Sequence, residues 1–241
     1  MSRIGDVLAY VELDDIEDEY CSTQASIYEA RSTITSLLLE HPKVDVNAQD
    51  VFSISPLHIA ARGGDFSNSW VRKLIENGAK ISARTENGET PLHLASRNGN
   101  LDAVTTFLTL GADPMEGDIN GLNALHYAAQ SGHLGMLRSV VNHMPDTSLE
   151  AFLKSKDNHG GNVLHHLLSN GKVDTTVDIT VVDYLLKWSP GINDLDNEGM
   201  SPMARYLSAF VLCSGDDDPE VVRLMFEYGA NPAFETDEEF L

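Results

Sequence analysis

Basic residues are scarce in this chain of 241 residues, and the shortage limits what it binds. Sixteen Lys and Arg stand against 37 Asp and Glu, which gives a formal net charge of −21. Because proteins bind the phosphate backbone by replacing its counterions with Lys and Arg, we expect no nucleic-acid partner. Anionic membrane surfaces are disfavoured for the same reason. A basic partner protein, by contrast, would gain in encounter rate.

The chain also lacks the features of secreted and membrane proteins. No stretch approaches the roughly 18 to 20 consecutive apolar residues that a membrane helix needs, and residues 1–20 are acidic where a signal peptide has a basic start. The two cysteines, Cys21 and Cys213, show no pairing or metal-binding pattern. We therefore expect an intracellular protein, cytoplasmic or nuclear, that is a monomer on its own.

Motifs for catalysis are missing as well. There is no Gly-x-Ser-x-Gly elbow, no reactive-cysteine signature and no glycine-rich phosphate loop. Nucleophilic catalysis needs a serine or cysteine held against a base, and nothing in the sequence marks such a pair. We expect no enzymatic activity and no cofactor.

What the chain does have is an internal repeat. A seven-residue pattern recurs with an invariant histidine at its fourth position: SPLHIAA at 55–61, TPLHLAS at 90–96, NALHYAA at 123–129 and NVLHHLL at 162–168. A fifth, degenerate copy begins at Ser201, with Ala204 in place of the histidine. A glycine follows each of the four histidines by six residues, and apolar runs ending in Gly-Ala recur later in the units, as at Gly111 and Ala112. A period of this length predicts a stack of equivalent structural units.

The copy that begins at Thr90 shows the physical basis of the pattern. Thr90 suits the helix N-cap, and the proline after it suits the first turn, where its missing N–H would have no partner. Leu101, Val104 and Phe107 have the spacing of a buried helical face. Gly111 supplies the left-handed residue that ends this second helix. Each unit is therefore predicted to be a pair of helices.

These residues resemble the ankyrin repeat, and the resemblance covers residues 22–234. It implies an all-α solenoid of helix-turn-helix units with β-hairpin-like fingers between them. We expect an acidic segment at 1–21, a degenerate capping repeat at 22–49 with a helix over residues 27–40, and an acidic tail at 235–241. The five repeats between them are expected at 50–84, 85–117, 118–156, 157–195 and 196–234. Unequal spacing of the histidines predicts insertions at 146–156, 172–179 and 215–219.

Two patterns invite a metal-site interpretation. His165 and His166 are adjacent, but neighbouring residues on a helix point about 100° apart and do not grip one metal. In the ankyrin family the repeated histidine hydrogen-bonds to turn backbone, so we assign it a structural role. Residues 194–199 imitate the start of a calcium loop, but the twelfth position, which needs a bidentate Glu, is Arg205. We expect no metal site.

The resemblance places partner binding on the finger tips and on the first helices, which line a concave groove. The expected finger-tip residues are Phe52, Ile54, Glu86, Asn87, Glu89, Ile119, Asn120, Leu122, Asn158, His159, Glu198 and Met200. The groove-facing residues on the first helices are Arg62, Arg97 and Gln130. The apolar tips are the expected anchors, and Glu86, Glu89, Asp118 and Glu198 are expected to select a basic partner. An alternative is that each apolar tip packs on the neighbouring finger.

We therefore expect a non-catalytic module that captures another protein. Two alternatives stay open: a substrate-recruiting part of a larger multidomain protein, and an assembly chaperone for a basic client. Whether the natural transcript stops after Leu241 would distinguish the first alternative from a capture module that acts alone.

Overall fold

A computed structural model describes residue 41 and residues 44–63, 67–144, 146–169, 178–188, 191–211 and 219–231. In these ranges the secondary structure is entirely helical, as expected. The helices are α1 (Pro56–Ala61), α2 (Ser67–Glu76), α3 (Pro91–Arg97), α4 (Leu101–Thr109), α5 (Ala124–Ser131), α6 (Leu134–Asn142), α7 (Asp146–Leu153), α8 (Val163–Ser169), α9 (Ile179–Leu186), α10 (Pro202–Val211) and α11 (Pro219–Glu227).

The repeated seven-residue pattern forms the first helix of each pair. In α3, the Thr90 side chain accepts a hydrogen bond from the His93 N–H, and the His93 ring accepts one from the Thr90 N–H. Asn123 caps α5 with the same reciprocal arrangement, in which His126 is the partner. The histidine is therefore part of the helix cap, and in the four repeats that contain it, it helps to fix where the first helix begins.

The same histidine rings also bond to the chain that leads into the next helix pair. Each Nε2 lies next to a backbone carbonyl: His58 to Glu89 at 3.1 Å, His93 to Glu116 at 2.8 Å, His126 to Ser155 at 3.3 Å and His165 to Met200 at 3.0 Å. Since Nδ1 accepts from the cap N–H, Nε2 carries the proton and donates it to the carbonyl. The structural role expected for these histidines is confirmed in all four repeats.

The second helices end as the Gly-Ala pairs predict. In α4 the Asn100 side chain caps the first turn by accepting from the Ala103 N–H. At the other end Gly111 has φ of +86°, and the Ala112 N–H donates to the Phe107 carbonyl. The chain thus leaves the helix through a left-handed residue.

Helices of like kind stack along the molecule. The first helices contact one another in the order α1, α3, α5, α8 and α10, and the second helices in the order α2, α4, α6, α9 and α11. One continuous apolar core runs between the two rows, with Leu57, Phe107 and Leu164 wholly buried in it. This is the layered architecture of a solenoid. Among the described residues, no helix is long and apolar enough to cross a membrane.

One of the expected insertions is visible as an element of its own. Helix α7 lies between the second helix of the third pair and the first helix of the fourth, and it buries Phe152 and Leu153. The expected helix at 27–40, the acidic segment at 1–21 and the tail at 235–241 lie outside the described residues. So do most of the insertions at 172–179 and 215–219.

Candidate functional site

The fingers between the helix pairs are built on a repeated aspartate. Oδ1 of Asp118 accepts hydrogen bonds from the N–H groups of Asn120 and Leu122, two and four residues later. Asp50, Asp157 and Asp196 do the same in their own fingers at 2.8 to 3.0 Å. In the second finger Thr85 replaces the aspartate, and its hydroxyl accepts from the Glu89 N–H. A short polar side chain thus folds each tip into a tight turn.

Neighbouring fingers are joined through their backbones. The N–H groups of Glu86, Ile119, Asn158 and Asn197 donate to the carbonyls of Phe52, Asn87, Asn120 and His159 respectively, at 2.8 to 3.1 Å. The Asn158 side chain adds a bond to the Ile119 carbonyl at 3.0 Å. The fingers are therefore a connected row, which holds the tip side chains in fixed relative positions.

The predicted apolar tips differ in how far they project. Phe52 and Ile119 keep 59% and 60% of their surface exposed. Ile54, Leu122 and Met200 are half-buried. Val51, beside Phe52, is also exposed. Two of the five apolar tips thus keep most of their surface exposed.

A cavity of about 300 Å³ opens between the first two fingers and the helices behind them. Among the predicted site residues it brings together Phe52, Ile54, Arg62, Glu86, Asn87, Glu89 and Arg97. Its lining also includes Thr85, Leu94 and Asn98, which sequence reasoning did not single out. Leu94 directly follows the repeated histidine, and this position in the repeat is the sequence feature that could have identified it as a lining residue.

Glu89 is the main correction to the expected site. It was expected as an exposed selector of a basic partner, but it is only 8% exposed and is bonded internally. Its carboxylate forms an ion pair with Arg97 and lies 3.1 Å from the Tyr127 hydroxyl. Glu89 lies directly before the N-cap of α3, and the turn at that point directs its side chain into the groove wall.

Tyr127 organises the centre of the groove. Its hydroxyl donates to Asp118 Oδ2 at 2.9 Å, and the Arg97 guanidinium lies 4.9 Å from the centre of its ring. Burial and the hydrogen bond to Asp118 raise the pKa of Tyr127. Asp118, another of the four acids expected to select a partner, therefore has both oxygens occupied within the protein.

The remaining predicted residues lie further along the groove, outside the cavity lining. Gln130 is half-buried, and its Nε2 lies 3.1 Å from Nδ1 of His166. Asn120 and His159 are exposed on their finger tips. Glu198 is exposed too and contacts Arg205 at 3.0 Å. The structure therefore divides the predicted set into a cluster on the first two fingers and a scattered remainder.

The suspected metal ligands are engaged elsewhere. The His165 ring donates to the Met200 carbonyl, while His166 Nε2 lies 2.8 Å from Asp157. In the calcium-like stretch, Asp196 Oδ2 accepts from Arg205. Within the described ranges no three His, Cys, Asp or Glu side chains are grouped to hold a metal ion.

Comparison with known proteins gives a consistent family assignment for this architecture. The family model described as ankyrin repeats (3 copies) matches residues 23–118 and 95–193. The chain is 35% identical over 106 residues to the tyrosine-protein kinase Shark of Drosophila melanogaster, a match that covers 44% of this chain and 11% of the kinase. It is 32% identical over 142 residues to the E3 ubiquitin-protein ligase XBAT33 of Arabidopsis thaliana, covering 50% and 27%.

A human relative is similar over a shorter stretch. Ankyrin repeat domain-containing protein 63 of Homo sapiens is 39% identical over 72 residues, which are 30% of this chain and 19% of that protein. The matches thus cover between about a tenth and about a quarter of the lengths of these three relatives.

Proposed function

Because the chain belongs to the ankyrin-repeat proteins, in which the repeats are protein-interaction modules, we propose that it is a non-catalytic module that captures a partner with a basic surface. The partner lies against the finger tips and the concave groove. One observation carries this proposal: Phe52 and Ile119 are apolar, mostly exposed, and mounted on the first and third fingers, which are both bonded to the second finger between them. Exposed apolar anchors on a rigid frame lose little conformational freedom on binding.

The preference for a basic partner is supported by charge. The chain carries a formal net charge of −21, and Glu86 and Glu198 are exposed at finger tips. Glu89 and Asp118 are bonded within the protein. The general acidity of the chain therefore contributes more to attracting a basic partner than carboxylates at the finger tips do. Such attraction acts mainly on the encounter rate and weakens as salt is added.

The test is affinity capture from native extract with the wild type and with a Phe52→Ala, Ile119→Ala, Leu122→Ala variant, at low and moderate salt. We expect a basic protein to be retained by the wild type, lost by the variant and weakened by salt. A matched control truncates Leu101 and Leu110, which are exposed apolar residues of the second-helix row. If this control loses the partner equally, or the tip variant keeps it, the groove is not the binding surface.

A second candidate function is favoured by the relatives. Shark is named a tyrosine-protein kinase and XBAT33 an E3 ubiquitin-protein ligase, and this chain matches only a small part of each. The alternative is that these repeats recruit a substrate to an enzyme domain in a longer protein. Sequencing the natural transcript for an additional domain in frame with these repeats tests it.

A further inference from the structure

The charges that border the groove cavity fall into two groups. Arg97 and Glu89 form an ion pair with each other, and Tyr127 contacts both. Arg62 and Glu86 also line the cavity and are exposed. Neither takes part in an ion pair within the described residues. Arg62 and Glu86 are thus the cation and the anion of the cavity lining that have no ion-pair partner in the part of the chain that the structure describes.

These two charges lie on different walls. Arg62 follows the last residue of α1, in the position equivalent to Arg97 at the end of α3, four residues after the motif histidine. Both guanidinium groups therefore come from the helix wall. Glu86 lies on the finger wall, where its N–H is bonded to the Phe52 carbonyl. Ligands in the cavity meet positive charge at the helices and negative charge at the finger tips.

The rest of the lining mixes three apolar side chains with the polar Thr85, Asn87 and Asn98. Leu94 contributes from α3, with Ile54 and Phe52 on the finger side. A volume of about 300 Å³ is at the lower end for binding pockets, which suits side chains of a short segment better than a large cofactor. An apolar side chain would displace water from this surface, and a charged group beside it would meet Arg62.

We propose that the cavity receives an aliphatic or aromatic side chain of a partner protein, next to an Asp or Glu whose carboxylate pairs with Arg62. The guanidinium fork suits a carboxylate, and such charge-assisted bonds are stronger than neutral ones. Basic residues of the partner then lie on the finger side, towards Glu86. This inference rests on the proposed groove function and adds the chemistry of the anchor to it.

Labelled nine-residue peptides test the proposal on the full chain. One peptide has a central Leu-Asp pair among Gly and Ser, and matched peptides have Asn or Lys in place of the Asp. By fluorescence anisotropy we expect the Asp peptide to bind about five- to tenfold more tightly than the Asn peptide, and the Lys peptide to be weakest. Arg62→Gln should remove the difference between Asp and Asn. Arg72→Gln, at an exposed position of α2, should preserve it.

The proposal is overturned if none of the peptides binds, if Asp and Asn peptides bind the wild type equally, or if Arg62→Gln keeps the preference. It also falls if a peptide of residues 1–20 displaces the probe at lower concentration than the unlabelled Asp peptide, because the cavity would then suit the chain's own acidic segment. Failure of the groove function gives a different result, because the Phe52, Ile119 and Leu122 variant then keeps the captured protein. If Arg62→Gln binds the captured protein as tightly as the wild type while the Phe52, Ile119 and Leu122 variant loses it, only the anchor chemistry is wrong.

Discussion

Arg205 donates from Nε to Oδ2 of Asp196 at 2.6 Å, across nine residues of chain. The same connection between finger and first helix is made by Tyr127 with Asp118 and by His166 with Asp157. In the first two repeats the equivalent helix residues are Ile59 and Leu94, which offer no polar group. The polar connections thus occupy the groove in the last three repeats, and the cavity lies between the first two fingers, where the connection is missing.

Removing the Arg205 contact should destabilise the fold. Arg205→Met leaves the Asp196 carboxylate, whose side chain is 3% exposed, without its charged partner. Since Arg205 itself is partly exposed, we expect a loss of about 1–3 kcal/mol in the free energy of unfolding, measured by urea denaturation at neutral pH. A change below about 0.5 kcal/mol, the usual range for surface substitutions, would show that the contact is dispensable.

The same variant should respond less to acid. Burial acts to raise the pKa of Asp196, but hydrogen bonds from Arg205 and two backbone N–H groups outweigh it and hold that pKa below its ordinary value. The carboxylate therefore contributes stability above the unfolded pKa, and loses it as the pH falls through the folded pKa. The difference between wild type and Arg205→Met in urea should shrink as the pH is lowered through this range. A difference that stays constant would contradict an ionic contact.

The buried histidines predict a separate loss of stability in mild acid. Burial lowers the pKa of His58 to about 4, against an ordinary value of 6.5. Its contribution is complete above pH 6.5 and is lost as the pH falls towards 4, because the unfolded chain takes up the proton first. The full effect is on the order of 3 kcal/mol. His58→Gln should lower the number of protons taken up on unfolding at pH 5 by about one, measured from the pH dependence of urea unfolding. An unchanged proton uptake would mean that His58 is not held neutral.

The stacking register is tested by Leu92→Ala. Leu92 is 1% exposed in the core between the helix rows. Removing it should cost about 2–5 kcal/mol in urea unfolding, as for other buried large-to-small changes. Leu110→Ala, at an exposed position, serves as the control and should change stability little. Equal effects of the two substitutions would mean that the register is wrong.

Alanine substitutions at two glycines distinguish the cost of backbone strain from the cost of disturbing the packing between fingers. Gly111 and Gly121 both have positive φ, +86° and +80°. A Cβ on Gly111 would meet nothing within 4 Å, whereas one on Gly121 would lie 2.8 Å from Asn158 Oδ1 and 3.1 Å from its backbone nitrogen. Gly111→Ala should cost about 1–2 kcal/mol from the left-handed conformation alone. Gly121→Ala should cost more and weaken partner capture, because it pushes two bonded fingers apart. Equal thermal shifts for the two variants would contradict close finger packing.

Local sequence by itself determined the helix pairs and their order. A capping residue, a histidine that bonds back to the cap and, after α2, α4 and α11, a glycine in the left-handed conformation all act within a few residues of chain. The roles of Thr90, His93 and Gly111 therefore follow from their positions in the repeat. The repeat period then identified the stack, since an isolated pair buries only one apolar face and needs its neighbours.

Which finger-tip groups remain available was decided only by the tertiary structure. Glu86 and Glu89 are three residues apart and look alike in sequence, yet Glu86 is exposed while Glu89 is closed off by Arg97 and Tyr127. Tyr127 comes from the next repeat, 38 residues along the chain. Contacts of this kind depend on how two units pack, which no local pattern encodes. The repeat period therefore predicts the scaffold, while the packing of one repeat on the next determines which groups are exposed in the groove.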